Sequence, residues 1–219
     1  KGGAQRPFRS LTTKQALRVK EWTLLKRDPW PASQTLMQIL YLVPPALLLW
    51  RDMGANTQVH VILAPVLVMA FGQLAGGLAW LAISGEDAPD LVATAPLPRR
   101  AIMRAKNEAV LMAIATVALP LVGGVAIVSI GGAIATAAGI AVAAVSAIAI
   151  QLWFRVTATR SQFRRRQTAS KTSTFAEAFS SIFWAGATGF AAAGSLFALP
   201  FVALALITLA IAYAISPRA

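Results

Sequence analysis

Residues 60–83 read HVILAPVLVMAFGQLAGGLAWLAI, a stretch of 24 residues without one charged side chain. An α-helix needs about 20 apolar residues to cross the hydrocarbon core of a bilayer. Similar runs recur along the chain. Of 219 residues, 57% are hydrophobic and only 13% are charged, against nearer a quarter charged in soluble domains. The composition predicts an all-α, polytopic membrane protein, and the length allows one compact bundle.

Six spans are expected. The second is the quoted one, where Gly72 and Gly76 form a small-xxx-small pair that permits close helix packing. Before it lies a first span at about 33–50, kinked at Pro44 and Pro45. A third starts near Arg99 and runs to about Ile130, bent or interrupted near Pro120, Gly123 and Gly124. Gly131 and Gly132 are expected to turn into a fourth, Ala-rich span at about 133–154. Thr174 and Glu177 read as a capping box that opens a fifth at about 175–197. Pro200 marks a turn into a short sixth at about 201–215. Trp50, Trp80 and Trp153 near span ends fit aromatic belts.

Two domains are expected: a polar segment at 1–31, and a six-span region at 32–219 with loops at about 84–104 and 155–174. In the first, Thr12 and Gln15 form a capping box, and the helix they open should end near Asp28-Pro29. Leu11, Val19, Trp22 and Leu25 fall roughly on one face, which predicts a helix lying at the membrane surface.

Charge orients the bundle. With six spans, nineteen of the twenty Lys and Arg residues fall on one side and only Arg51 on the other. Positive charge marks the cytoplasmic side, so both termini are expected there. The net charge of +12 is therefore read as topology rather than as nucleic-acid binding.

Catalytic signatures are missing from the sequence. There is no cysteine and one histidine, which leaves no Cys/His metal site. There is no G-x-x-x-x-G-K-[ST] phosphate loop. Ser84-Gly85 has no general base, because His60 lies roughly 35 Å away along the same predicted helix. No catalytic residue and no metal are expected. Glu108 is expected near the charged end of the third span, paired with Arg104 at i−4. Gln38, Gln73 and Thr116 are polar residues within spans, available to a substrate path or to neighbouring helices.

Between spans two and three lies SGEDAPDLVATAPLPRRAIMRAK, residues 84–106. Asp87 can cap a short helix, with Pro89 in its first turn and Asp90 at N3. Pro96 and Pro98 stop it. Leu91 and Val92 then stand on a capped element outside the bilayer, either docking a partner or packing on the bundle itself.

The stretch around Lys20, Glu21, Leu25, Arg27, Asp28 and Pro29, followed by Glu86, Leu91, Pro96, Leu97, Arg100 and Lys106, resembles the permease subunits of type-2 ABC exporters. The resemblance extends over the chain in topology and over about 45 residues in motif. It implies a short cytoplasmic coupling helix between spans two and three. It also implies contact of Glu86, Asp87, Asp90, Leu91 and Val92 with a separate ATP-binding subunit, flanked by Glu21 and Trp22. ATP and Mg would then be bound by that partner, with no cofactor in this chain. A second six-span half is implied too, as a homodimer or within one longer polypeptide. The chain starts at Lys1 rather than Met, so residues are expected upstream. The location implied is a bacterial inner membrane. A haem-exporter permease of cytochrome c maturation and a non-transporting membrane scaffold are the alternatives.

Overall fold

A computed structural model describes residues 12–27, 33, 37, 40, 59–84, 97–154 and 171–217. These residues form six long helices and no strand: α1 (Thr13–Arg27), α2 (Val59–Ser84), α3 (Arg99–Val128), α4 (Ile130–Trp153), α5 (Lys171–Ala192) and α6 (Ala198–Ile215). Four of them, α2, α3, α4 and α6, are long and apolar enough to cross a membrane. The expected first span lies outside the described residues but for three isolated positions, and so does the 85–96 segment with its expected coupling helix.

Close contacts between named residues fix the packing. His60, Val68 and Gly72 of α2 meet Gly132, Gly139 and Ala143 of α4, so these two helices run parallel. Pro65, Gly72 and Gly76 of α2 meet Gly189, Ser181 and Glu177 of α5, which therefore runs antiparallel. Both of these helices pack extensively on α2. The small-xxx-small pair is the seat of that packing. A Cβ at Gly72 would stand 2.8 Å from Ser181 Oγ, and one at Gly76 would overlap the Glu177 carboxylate. Glycine is required at both because it lets the α5 side chains lie directly against the α2 backbone.

Helix α5 is inside out by the standard of a water-soluble helix. Ser173, Glu177, Ser180, Ser181 and Thr188 are buried, at spacings that keep them on one face. Phe175 and Phe179, on the outer face, are 63% and 50% exposed. A helix in water hides its apolar stripe; this one hides its polar stripe and offers phenyl rings to the surroundings. That arrangement is favourable where the surroundings are lipid. It also explains why α5 lacks the apolar composition of its four neighbours despite comparable length.

Several local expectations are corrected. Helix α3 runs through Pro120, Gly123 and Gly124 without a break, and the chain turns instead at Ser129. The Ser129 side chain accepts from Gly132 N, so Gly131 and Gly132 form the first turn of α4 rather than the connection. Helix α5 starts at Lys171, and Glu177 points into the core rather than capping the N-terminus. The α5–α6 turn is made at 193–197, with Gly194 at φ 68°; Pro200 lies in the first turn of α6, where a missing amide costs no helical bond. Trp80 is buried in the core rather than placed in an aromatic belt, whereas Trp153 is half-buried and packs edge-on against Tyr213 with ring centroids 5.2 Å apart.

The glycines differ in what surrounds them. Gly76→Ala should lower stability by more than about 2 kcal/mol, because the methyl group meets a side chain that cannot retreat from the core. Gly123→Ala, in open space on α3, should raise stability by up to about 1 kcal/mol through helix propensity. Unfolding in mild detergent compares the two, and equal effects would remove the close-approach argument.

Candidate functional site

The C-terminal ends of α2, α4 and α6 and the N-terminal ends of α3 and α5 share one end of the bundle. Lys106 against Ala82, Gln151 against Glu177 and Trp153 against Tyr213 place them there. Every described charged residue from 59 onward lies in the segments 99–108 and 171–177 of that end. Helix α1 docks there too, against α3.

The docking face of α1 is mixed, with a buried carboxylate among apolar side chains. Leu17, Lys20, Glu21 and Leu24 turn inward, while Val19 is largely exposed. The expected apolar face through Val19 is thus not the one the bundle uses. The α1 start agrees with the sequence: Thr12 N donates to Gln15 Oε1 at 3.2 Å, one half of the expected capping box.

Glu21 is the centre of the junction. It is 3% exposed, and its Oε2 lies 3.8 Å from Lys106 Nζ. Lys106, at 4% exposure, also donates to the Ala82 carbonyl in the last turn of α2. The last carbonyls of a helix have no partner within it, so a lysine there satisfies an orphan acceptor and favours the negative end of the dipole. Lys20 Nζ is 3.5 Å from Glu21 Oε1. One carboxylate and one ammonium thus bind α1, α2 and α3 together. Trp22, the other flanking residue implied by the resemblance, is half-buried beside Glu21.

A second, exposed ion pair stands alongside. Arg18 Nε donates to Glu108 Oε2 at 2.6 Å. Glu108 therefore pairs across to α1, not with Arg104 on its own helix as the i−4 spacing suggested. The bond raises the Arg18 pKa above its ordinary value.

Inside the bundle, the α5 stripe forms a polar seam. Gln151 Nε2 donates to Glu177 Oε2 at 2.8 Å, and both residues are buried. Two turns deeper, Trp184 Nε1 donates to Ser146 Oγ at 3.0 Å. Thr188 Oγ1 donates to Trp184 O on its own helix, beside Gly139. Ser180 Oγ is buried and makes no hydrogen bond among the described residues. An acid buried among apolar helices is a functional candidate. Sequence reading missed Glu177 in this role because its place three residues after Thr174 fits a capping box. The available signal was the helical spacing of Ser173, Glu177, Ser181 and Thr188 together with the small residues Gly72 and Gly76.

Other expected positions separate. Gln73 and Thr116 are exposed, and the Thr116 hydroxyl donates back to Met112 O at 2.8 Å. Neither belongs to the buried seam. Gln38, Glu86, Asp87, Asp90, Leu91 and Val92 lie outside the described residues. His60 packs on Gly132 at the opposite end from Ser84. Among the described residues no three of His, Cys, Asp and Glu gather into a metal-holding group.

No family model matches this chain, and neither a curated protein nor a solved structure does.

The two ion pairs should respond differently to mutation. Glu21→Ala leaves Lys106 buried without its anion and should cost about 3 kcal/mol, whereas Glu21→Leu with Lys106→Met should recover most of that. Glu108→Gln, in the exposed pair, should leave the unfolding temperature nearly unchanged. Thermal unfolding in detergent reads all three, and a double variant as unstable as Glu21→Ala would contradict the buried-charge argument.

Proposed function

We propose that this chain is the membrane-embedded half of an ATP-driven exporter permease, a six-span unit completed by a second six-span half. A separate ATP-binding subunit acts on its cytoplasmic side, and the chain itself carries no catalytic chemistry. The basic end of the bundle is that cytoplasmic side, in a bacterial inner membrane.

The observation that carries the reading is the Glu21–Lys106–Ala82 junction. Residues 85–96 connect α2 to α3, and both flanking helix ends are held by the same lysine. A push on that connection moves the end of α2, the start of α3 and helix α1 as one body. A transmission element needs this property, because a partner's motion reaches the spans only through a stiff link. The acids Glu86, Asp87 and Asp90 and the apolar pair Leu91 and Val92 supply the contact with the ATPase, with Glu21 and Trp22 beside it. The polar seam at Glu177 and Gln151 adds a buried polar route to the exposed Gln73 and Thr116, which a second half would face.

Purification in mild detergent with identification of bound subunits tests the partner directly. Asp87→Lys with Asp90→Lys should abolish both ATPase binding and stimulation of ATP hydrolysis by the membrane subunit while leaving the chain folded. If both persist in that variant, the permease reading fails.

A further inference from the structure

We propose that the seam between α1 and α3 binds an anionic phospholipid, its phosphate held by Lys14, Arg100 and Arg104 and one acyl chain laid in a groove between α3 and α4. The proposal stands apart from the ATPase reading; it needs only that the helices lie in a bilayer.

The headgroup site is a cavity of about 360 Å³ at the basic end, lined by Lys14, Arg18, Pro98, Arg100, Arg104 and Glu108, among others. Four cations and one acid meet there. Arg18 is committed to Glu108. Lys14, Arg100 and Arg104 make no ion pair among the described residues, so the cavity keeps a surplus of positive charge. Pro98 and Arg100 also place it at the N-terminus of α3, where the amides of Arg99 and Arg100 precede the first bonded one, Ala101 N to Pro98 O, and the dipole is positive. Guanidinium forks and free amides suit phosphate oxygens. Basic pockets of this kind at the cytoplasmic end of spans suit anionic headgroups.

The second observation is an apolar groove further along the same face of α3. Arg100, Arg104, Glu108, Leu111, Ala115 and Val122 recur at spacings of four, four, three, four and seven, one face of the helix. From Leu111 onward that face lines the groove, about 330 Å³ in volume and closed on the other side by Ile140 and Ala144 of α4. Leu111 to Val122 spans about 17 Å at helical rise. One leaflet of hydrocarbon is about 15 Å thick, half of the ~30 Å core. The groove therefore begins where the charges end and has the length of one acyl chain in one leaflet. A soluble phosphate would use only the basic part; a phospholipid with an anionic headgroup uses both. A zwitterionic lipid would bring its own cation into a cavity already positive.

The test uses the full chain in mild detergent, with native mass spectrometry reading bound phosphatidylglycerol, phosphatidylcholine and inorganic phosphate. Phosphatidylglycerol should bind at least tenfold more tightly than phosphatidylcholine. Removing each cation should weaken it roughly fivefold, so Lys14→Gln with Arg100→Gln and Arg104→Gln should erase the preference. Arg100→Lys with Arg104→Lys should keep most of it, which separates lost charge from lost fold. Ala115→Trp fills the groove without touching the cations. It should weaken phosphatidylglycerol roughly tenfold and leave phosphate binding unchanged. The proposal is overturned if the triple variant keeps the preference. It is equally overturned if phosphate displaces the lipid at similar concentration while Ala115→Trp has no effect, since the cavity would then be a site for soluble anions.

Discussion

Glu177 lies against the backbone of α2 at Gly76, with the Gln151 amide donating to its carboxylate, and the packing of the central helices depends on that contact. A carboxylate can sit inside a bundle only if neighbouring polar groups reach it and lipid is kept away. Both conditions require α2, α4 and α5 to come close. Gly72 and Gly76 give α5 its approach to α2, and Gly139 gives α4 room for Val68 and Thr188. The polar stripe of α5 then has somewhere to go, and its phenyl rings are left on the outer face of the bundle. Helix α6, largely exposed, can lie outside this trio because it carries no polar stripe to hide.

The charged end obeys a different balance. Glu21 and Lys106 are as buried as the core, yet they belong to α1 and the first turns of α3, beyond the apolar part of the bundle. A pair this deep contributes little net stability, since desolvating both groups offsets most of their attraction. What it does contribute is selectivity for one arrangement: the Glu21–Lys106 contact requires α1 against α3, and the Lys106–Ala82 bond requires the end of α2 as well. The exposed Arg18–Glu108 pair lacks this all-or-none character, because water can replace either partner.

The sequence carried the helices far better than the contacts. Charge-free runs between 60 and 153 set α2, α3 and α4 to within a few residues, and Arg99 opens α3 as expected. The Gly72–Gly76 spacing foretold a tight interface, though not its occupant. Failures came where a local rule met a tertiary one. Pro120 does not break α3, because helices surrounded by lipid gain nothing by exposing backbone groups and tolerate proline within a turn. Glu177 matched a capping box yet serves the core. Glu108 had a cation at i−4 but bonds Arg18, ninety residues away. On α1 the face that docks carries a buried carboxylate, which no apolar pattern marks. Pairings of this kind depend on which helix ends meet, and that is fixed only once the bundle has formed.

Helix α3 links these features in a way its sequence alone would not suggest. Its first two turns carry two sets of cations that point in different directions. Lys106 turns inward to Glu21 and Ala82; Arg100 and Arg104 turn outward with Lys14 around the open cavity. The inward set fixes where α3 begins relative to α2. The outward set is left with surplus charge because the acid that could neutralise it, Glu108, is already held by Arg18. An anion arriving in that cavity would therefore meet a site whose geometry is set by the buried pair, and would bridge α1 to α3 on the face that pair does not reach. The proposed lipid would thus tie α1 to α3 a second time, from the side of α3 away from Lys106, and would stiffen the seam that the buried ion pair already holds.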